Sequence, residues 1–460
     1  MSLKPSIPKG TKDYLPDNLY KRNYLKKILR ETFEIFGFLP IETPSFERNE
    51  TLTGKYGEHG DRLIFKILNS GDKLKKADIK SLEIEDLIRF SNSLSEKALR
   101  YDLTVPLARF VSQHRNEISF PFRRYQMQNV WRADRPQKGR FQEFLQCDVD
   151  IVGSKSILQE VEIILMCENI FSRLNLKNIS VNLNHRKILE GVAILIGVKD
   201  KFLKLTSSLD KLDKIGMDGV INELENQEFS KRSIDLLIPF LDIKGSFKSK
   251  IDFLSRKLKD IEVAKEGLND LFSIYSKINK FKLNSISVNL DINLARGLDY
   301  YTGLILEVVP DKGEFDFGSI AGGGRYDNLT DFFGLKDTSG FGISFGFDRI
   351  SLMLEKLKLF PKDLSKSSKV MFVNFEDQIT DQYLQEILKL RERGVACEIY
   401  PTKSKLKKQL DYANQRKIPF VIMIGSDELS KKEFVIKNME TGTQSVHKSI
   451  NLIDEIMKLI

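Results

Sequence analysis

The sequence is poor in the residues from which disulfide scaffolds, metal sites and membrane spans are built. Its 460 residues include three cysteines, Cys147, Cys167 and Cys397, far apart and without a CxxC. That excludes a disulfide framework and a structural zinc site, and it suits a reducing compartment. Four histidines, His59, His114, His185 and His447, show neither metal-ligand spacing nor a Ser/His/Asp context. Each reads as structural or surface, with His59 in a Gly-rich loop the one open to a role. No run approaches the roughly 18 apolar residues that span a bilayer, and the opening Met1 to Pro8 lacks an apolar signal core, so a cytoplasmic protein is expected. Neither G-x-x-x-x-G-K-[ST] nor a Rossmann G-x-G-x-x-G after a strand occurs. A nucleotide site would need another construction, with arginines on an antiparallel sheet replacing the Gly-rich loop.

What is present is ordinary in bulk. With 41% hydrophobic and 30% charged residues the chain has a globular composition, and at roughly 150 residues per domain it has room for about three domains. Lys and Arg outnumber Asp and Glu by 73 to 64, a surplus of 9. That surplus fits a polyanionic partner such as nucleic acid, and equally a Lys-rich solvated surface.

Along the chain, Tyr24, Leu25, Ile28, Leu29, Thr32, Phe33 and Phe36 fall at helical spacing before Gly37, which predicts an amphipathic helix over 21–36. Residues 69–97 are polar and Lys-rich and read as a surface excursion. Thr104 is placed to cap a helix that begins Val-Pro. Between 186 and 285 the pattern is helical throughout (187–196, 208–215, 218–226, 229–240, 248–258, 261–279), an all-helical insertion; strand-like alternation resumes at Ile286. After a polar linker over 361–368, strands and helices alternate from 369 to 460, a small α/β domain with a partly parallel sheet.

The chemistry concentrates in four places. From Phe122 to Gly153, alternation sets Tyr125, Met127, Trp131 and Ala133 on one face of a strand and Arg124, Gln126, Gln128, Arg132 and Asp134 on the other. In the returning strand Phe141, Leu145, Cys147, Val149 and Ile151 oppose Gln142, Phe144, Gln146, Asp148 and Asp150. The loop Asp134 to Arg140 carries three cations around a proline and a glycine. Such a face suits a nucleotide, with Arg132 on phosphate and Phe144 under a base; a solvated hairpin would also alternate in this way. Ala295 to Gly303 gathers Arg296, Asp299, Tyr300 and Tyr301, a set suited to a small zwitterion. Ser319 to Asp327 holds three successive glycines, read either as a close backbone approach or as a tight strand-to-helix turn. In Gly340 to Arg349, Phe341, Ile343, Phe345 and Phe347 oppose Gly342, Ser344 and Gly346. That nearly bare face admits a flat ring, or close packing by another element.

With these residues together, the chain resembles the class II aminoacyl-tRNA synthetases, and within them the histidyl-tRNA synthetases. Pro8 to Tyr14 is similar to the family's N-terminal signature, Phe38 to Glu47 to motif 1, Arg132 to Asp150 to motif 2 and Gly340 to Arg349 to motif 3. Leu294 to Tyr301 and Ala321 to Asp327 resemble the two histidine-specific signatures. Asp102, in Arg-Tyr-Asp-Leu-Thr where many bacterial members have Arg-Pro-Glu-Gly-Thr, gives the chain the look of the eukaryote-like branch.

The resemblance implies an α+β catalytic domain with a mainly antiparallel sheet, formed by 1–185 and 286–360, interrupted by the helical insertion 186–285 and followed by an anticodon-binding-like α/β domain over 369–460. It implies ATP as substrate with Mg2+ bridging its phosphates, and L-histidine and tRNA(His) as partners. It also implies a homodimer through the motif 1 region and no membrane. By the same resemblance Arg132 holds the α-phosphate, Asp134 reads the adenine amino group, Phe144 stacks beneath adenine, and Arg140 and Arg349 take the terminal phosphates. Asp102, Thr104 and Gln146 hold the α-amino group, Asp150 with Tyr301 beside Tyr300 the imidazole, and Arg296 the carboxylate and α-phosphate. Arg135, Gln137 and Lys138 meet the tRNA acceptor end. The run Lys403, Lys405, Lys407, Lys408, Arg416 and Lys417 reads as a phosphate track or as an exposed helix face.

Two rival readings differ in class. One is a synthetase-like regulatory protein that senses histidine without charging tRNA. Such paralogues tend to lose the catalytic arginines and the anticodon module, both of which this sequence keeps. The other is a non-enzymatic RNA-binding protein, which leaves the polar hairpin face unexplained.

Overall fold

The computed structural model describes residues 4–56, 60–137, 139–295, 300–311, 318–362, 364 and 368–460. The chain divides into two compact units, Met1–Phe360 and Pro361–Ile460.

The first unit is built on an eight-stranded sheet. Four strands precede the central hairpin: β1 (Leu39–Pro40), β2 (Phe46–Arg48), β3 (Lys66–Ile67) and β4 (Lys97–Leu99). The hairpin is β5 (Phe122–Trp131) and β6 (Glu143–Val152), and β7 (Ile179–His185), β8 (Ile286–Leu290), β9 (Leu304–Pro310), β10 (Ala321–Tyr326) and β11 (Gly340–Gly346) follow. The order across the sheet is β1-β5-β6-β11-β10-β9-β7-β8, while β2, β4 and β3 form a separate small sheet. Only the outermost pairs, β1 with β5 and β7 with β8, run parallel; every pair between them is antiparallel. An antiparallel sheet can be apolar on one face and polar on the other, and that division positions the site.

The apolar face is closed by two long helices. Helix Pro16–Ile35 buries Leu25, Ile28, Leu29, Thr32 and Phe33, and helix Leu158–Arg173 buries Ile163, Ile164, Met166, Cys167, Ile170 and Phe171. Cys147, Val149 and Ile151 from β6 and Phe341, Ile343 and Phe345 from β11 join them in one core. The first helix starts five residues before the apolar spacing does. Pro16, with its fixed φ and missing N–H, opens it, and Asp17 favours its positive end, through a turn too exposed to carry a periodic signal.

The stretch from Arg186 to Ile278 is helical and shares this core. Its segmentation differs from the spacing in one place. Where a helix is expected over 208–215, helix Phe202–Leu209 ends and Leu212–Asn226 begins, and the latter is broken at Gly216, whose φ of 70° is left-handed. Residues 69–97 form a short 3-10 turn and the helices Ile79–Glu83 and Leu87–Ser93, capped by the Asp78 and Asp86 carboxylates.

The second unit has a five-stranded sheet with β12 (Val370–Phe372), β13 (Cys397–Ile399), β14 (Phe420–Met423), β15 (Glu433–Asn438) and β16 (Gln444–Lys448) in the order β13-β12-β14-β15-β16. Its first three neighbours are parallel and the remaining pairs antiparallel. No helix among the described residues is long and apolar enough to cross a membrane.

Candidate active site

The polar face of the first sheet carries the site. Register fixes its columns: Arg124 lies opposite Asp150 and Asp150 opposite Gly342, while the next row is Gln126, Asp148 and Ser344 and the next Gln128, Gln146 and Gly346. The hairpin face is not solvated: Arg124, Gln126, Gln146, Asp148 and Asp150 are all buried.

Asp150 is held from two sides. Its Oδ2 is 2.7 Å from Arg124 Nη2, and its Oδ1 accepts the Tyr326 hydroxyl at 2.7 Å. Burial raises its pKa and Arg124 opposes the rise. The bare glycine face makes this possible. A Cβ on Gly342 would sit 2.0 Å from Asp150 Oδ1, one on Gly340 2.3 Å from the Tyr326 ring, and one on Gly324 2.8 Å from the Tyr301 ring. The glycines therefore clear room for the chain's own Asp150, Tyr326 and Tyr301. The three successive glycines of 322–324 lie inside β10 and are a close approach rather than a strand-to-helix turn: a Cβ on Gly323 would fall 2.0 Å from the Gly342 carbonyl oxygen.

Asp102 is buried, and its Oδ1 accepts the Tyr56 hydroxyl at 2.8 Å and the Val105 N–H at 3.2 Å. Burial pushes its carboxyl up, opposed by Tyr56 and Arg132. This corrects the expected helix cap. Thr104 is the first residue of helix Thr104–Gln113 and makes no side-chain cap, while Asp102 receives the free N–H of the first turn. Gln146 donates its Nε2 to Asp148 Oδ2 at 3.2 Å and keeps Oε1 without a partner among the described residues. Tyr300 and Tyr301 meet edge to face at 4.5 Å. Thus Asp150 bonds Arg124 and Tyr326, whereas Tyr301 lies against Gly324. Arg296, expected to take the carboxylate, lies outside the described residues, as do Lys138 and His59.

At the other end of the hairpin are the arginines. β5 stops at Trp131, so Arg132 and Asp134 do not continue the strand as the alternation suggests, although Arg132 N–H still reaches the Gln142 carbonyl at 2.9 Å. The Arg132 guanidinium lies over the Tyr101 ring at 4.5 Å and the Phe144 ring at 5.2 Å, and its Nε donates to the Tyr101 carbonyl at 2.9 Å. Arg140 grips Asp134 with Nη2 to Oδ1 at 2.9 Å and Nε to Oδ2 at 3.2 Å, so two residues expected to touch opposite ends of a nucleotide hold each other. Arg349 donates to the Ser319 carbonyl at 2.6 Å, and a Cβ on Gly139 would come within 4.0 Å of its side chain, so the basic loop reaches the motif 3 helix. Arg135 and Gln137 are exposed on that loop. The N-terminal signature is tied in as well: Gly10 accepts the Gln142 N–H, and Arg22, stacked on Tyr14 and Phe347, pairs with Asp348.

Four residues given no role by sequence reasoning join the site: Arg124, Asp148, Tyr326 and Tyr56. Alternation had put the first two on the polar face. Tyr326 sits in a recognised signature; Tyr56 carries no local signal. Chemically, one end of the face is an acid-lined floor and the other an arginine rim. Among the described residues no group of three or more His, Cys, Asp or Glu is placed to hold a metal ion.

A family model described as histidyl-tRNA synthetase matches residues 74–350, and one described as an anticodon binding domain matches 369–459. A histidine–tRNA ligase from Christiangramia forsetii is 50% identical over 445 residues, covering 97% of this chain and 97% of that protein. Another from Flavobacterium johnsoniae is 48% identical, covering 96% and 97%. The crystal structure of histidyl-tRNA synthetase from Nostoc sp. PCC 7120 superposes with a TM-score of 0.78 at 29% identity, covering 100% of both chains. With the motifs gathered on one sheet face and the match running through both units, the chain belongs to the histidyl-tRNA synthetase family.

Proposed function

We propose that this chain is a histidine–tRNA ligase: it activates L-histidine with ATP to histidyl-adenylate and pyrophosphate, then transfers the histidyl group to the 3′ end of tRNA(His). The observation that carries the reading is the polarised sheet face, with the buried carboxylates Asp102, Asp148 and Asp150 at one end and Arg132, Arg140 and Arg349 at the other. The extent of identity to histidine–tRNA ligases, and the anticodon-binding match, leave the regulatory paralogue without support.

Activation is an in-line attack of the histidine carboxylate on the α-phosphorus, with pyrophosphate leaving. Such chemistry needs positioning and charge neutralisation and no covalent protein nucleophile. In our reading Phe144 carries the adenine and Arg132, fixed between two rings, meets the α-phosphate. Nucleotide binding parts Asp134 from Arg140, one turning to the adenine amino group and the other joining Arg349 on the terminal phosphates. Asp102, Thr104 and Gln146 take the α-ammonium group, whose free acceptor is Gln146 Oε1. Asp150, paired with Arg124, accepts an imidazole N–H beside Tyr300 and Tyr301, and Arg296 meets the carboxylate. Mg2+ would arrive on the phosphates of ATP, since the described residues offer no cage of their own. Arg135, Gln137 and Lys138 face the acceptor end of the tRNA.

In the same reading 186–285 is an insertion domain within a catalytic domain made of 1–185 and 286–360. The chain forms a homodimer through the motif 1 region, where Ile35, Leu39 and Phe46 are exposed apolar side chains. The three free, buried cysteines suit the cytoplasm. The deciding experiment is ATP–pyrophosphate exchange without tRNA, run with each amino acid in turn. Exchange with histidine alone is expected, and exchange with none, from folded protein, refutes the proposal.

A further inference from the structure

We infer that Asp148 is a further residue contacting the amino-acid substrate, an acid for its α-ammonium group beside Asp102 and Gln146; the inference rests on the ligase reading above. Asp148 belongs to none of the contacts carried over by resemblance, and its placement asks for a cation. Three carboxylates, Asp102, Asp148 and Asp150, are each at least nine-tenths buried on one face. Two of them are already answered: Asp150 has Arg124 and Tyr326, and Asp102 has Tyr56, a backbone N–H and the field of Arg132. Asp148 has the Gln146 amide on Oδ2, Ser344 stands opposite it on β11 and pulls its pKa down, and its Oδ1 has no hydrogen-bond partner among the described residues. In the same row Gln126 Oε1 and in the next Gln146 Oε1 are also buried without partners among the described residues, as are the donors Arg124 Nε and Nη1. A carboxylate oxygen and two amide oxygens on neighbouring positions of one face thus have acceptor capacity to spare, and a primary ammonium brings three N–H donors.

An unanswered buried carboxylate is costly, so the free protein keeps it partly protonated. Burial first, then the Asp150 and Asp102 charges, raise Asp148 to about 7, against the opposing pull of Arg124. Among the described residues the titratable groups coupled to it are Arg124 on β5, Asp150 on its own strand, Asp102, Tyr300, and Cys147 on the opposite face. An ammonium group seated on Asp148 holds it ionised, so a proton leaves as histidine enters near neutral pH. Below that pH histidine competes with the proton, and its apparent affinity falls.

The test is histidine-dependent ATP–pyrophosphate exchange with the full chain, wild type against Asp148→Asn, between about pH 6 and about pH 8, the range that brackets the shifted acid. Asp148→Asn is expected to raise KM for histidine roughly tenfold to a hundredfold, the worth of a buried charge-assisted hydrogen bond, with KM for ATP unchanged. The rise of histidine KM below neutral pH in the wild type flattens in the variant. An active wild type whose histidine KM and pH profile survive Asp148→Asn overturns this inference alone; a wild type with no histidine-dependent exchange overturns the ligase reading as well. Should Asp148→Asn fail to fold, two competitors on the wild type replace it: histidinol, which keeps the ammonium group, and imidazolepropionate, which lacks it. Imidazole ionisation is common to both. As the pH falls through about 7, histidinol inhibition should weaken more steeply than imidazolepropionate inhibition, and the same response from both competitors overturns the assignment.

Discussion

Replacing Arg124 by methionine isolates the electrostatic core of the site. The guanidinium is wholly buried, and its Nη2 is 2.7 Å from Asp150 Oδ2. At that distance and an effective dielectric of about 20, the pair is worth about 6 kcal/mol before desolvation is subtracted. Methionine fills much of the same volume but leaves Asp150 as an uncompensated buried charge, which costs about 3–5 kcal/mol. Protonation caps that cost: taking an ordinary carboxylate from about 3.9 to its neutral form at pH 7 requires about 4 kcal/mol, falling by about 1.4 kcal/mol for each pH unit below. The variant should therefore lose about 3–4 kcal/mol of unfolding free energy at pH 7 and about 2 kcal/mol at about pH 5.5. The sign follows from Asp150, whose folded-state pKa, already raised by burial, rises further without Arg124. A group of that kind favours the folded state at low pH and withdraws its support as the pH climbs. Urea unfolding at the two pH values measures both quantities. Adding Asp150→Asn to the Arg124→Met background should restore most of the stability and none of the histidine-dependent exchange. A pH-independent loss below about 1 kcal/mol, or no recovery in the double variant, would refute the charge-pair argument.

Three further outcomes follow from the same geometry. Gly342→Ala drives a methyl into Asp150 Oδ1 and within 2.9 Å of the Val149 carbonyl, so it should cost about 1–3 kcal/mol in thermal unfolding and raise KM for histidine while sparing KM for ATP. Arg132→Ala removes a guanidinium seated between Tyr101 and Phe144 and should lower kcat for exchange by about a hundredfold to a thousandfold with the fold intact by circular dichroism; Arg296→Ala should behave alike, and near wild-type turnover in either would contradict its role. Removing 361–460, a compact unit with its own buried clusters, should leave pyrophosphate exchange but weaken tRNA charging, and loss of both would show that the units depend on each other.

Much of this site is legible in the sequence because a strand has a period of two. Alternation alone put Arg124, Gln146, Asp148 and Asp150 on one face and Cys147, Val149 and Ile151 on the other, and the buried sheet keeps that division. What alternation cannot supply is register between strands distant in sequence. That Tyr326 bonds Asp150, 176 residues away, and that Gly342 stands opposite Asp150, depend on β11 lying between β6 and β10. Local caps are hidden for a related reason. Thr104 has the right chemistry for a helix start, but the chain turns one residue earlier and Asp102 takes the bond. The break at Gly216 needs a left-handed φ that tertiary packing selects and spacing does not announce.

The charge layout sets how a zwitterion would lie across the sheet. Histidine at neutral pH carries its ammonium nitrogen one bond from Cα and its carboxylate oxygens two bonds away on the other side, and the face offers carboxylates at the Asp148–Asp150 end and guanidinium groups at the Arg132 end, with Asp102 in the field of both. Reversing the amino acid would set its carboxylate against buried acids and its ammonium against Arg132, two like-charge contacts in a region of low dielectric where each is costly. The allowed orientation aims the carboxylate at the arginine that is fixed by Tyr101 and Phe144 and that meets the α-phosphate in our reading. Arg124 is what keeps this polarity workable: its guanidinium bonds Asp150 and offsets part of the charge on Asp148, whose Oδ1 is left without a hydrogen bond among the described residues for the substrate's ammonium group to supply. A pocket whose last charge is balanced by the substrate's own ammonium group discriminates against neutral and anionic ligands without any added contact, and it does so at the step that also orients the nucleophile.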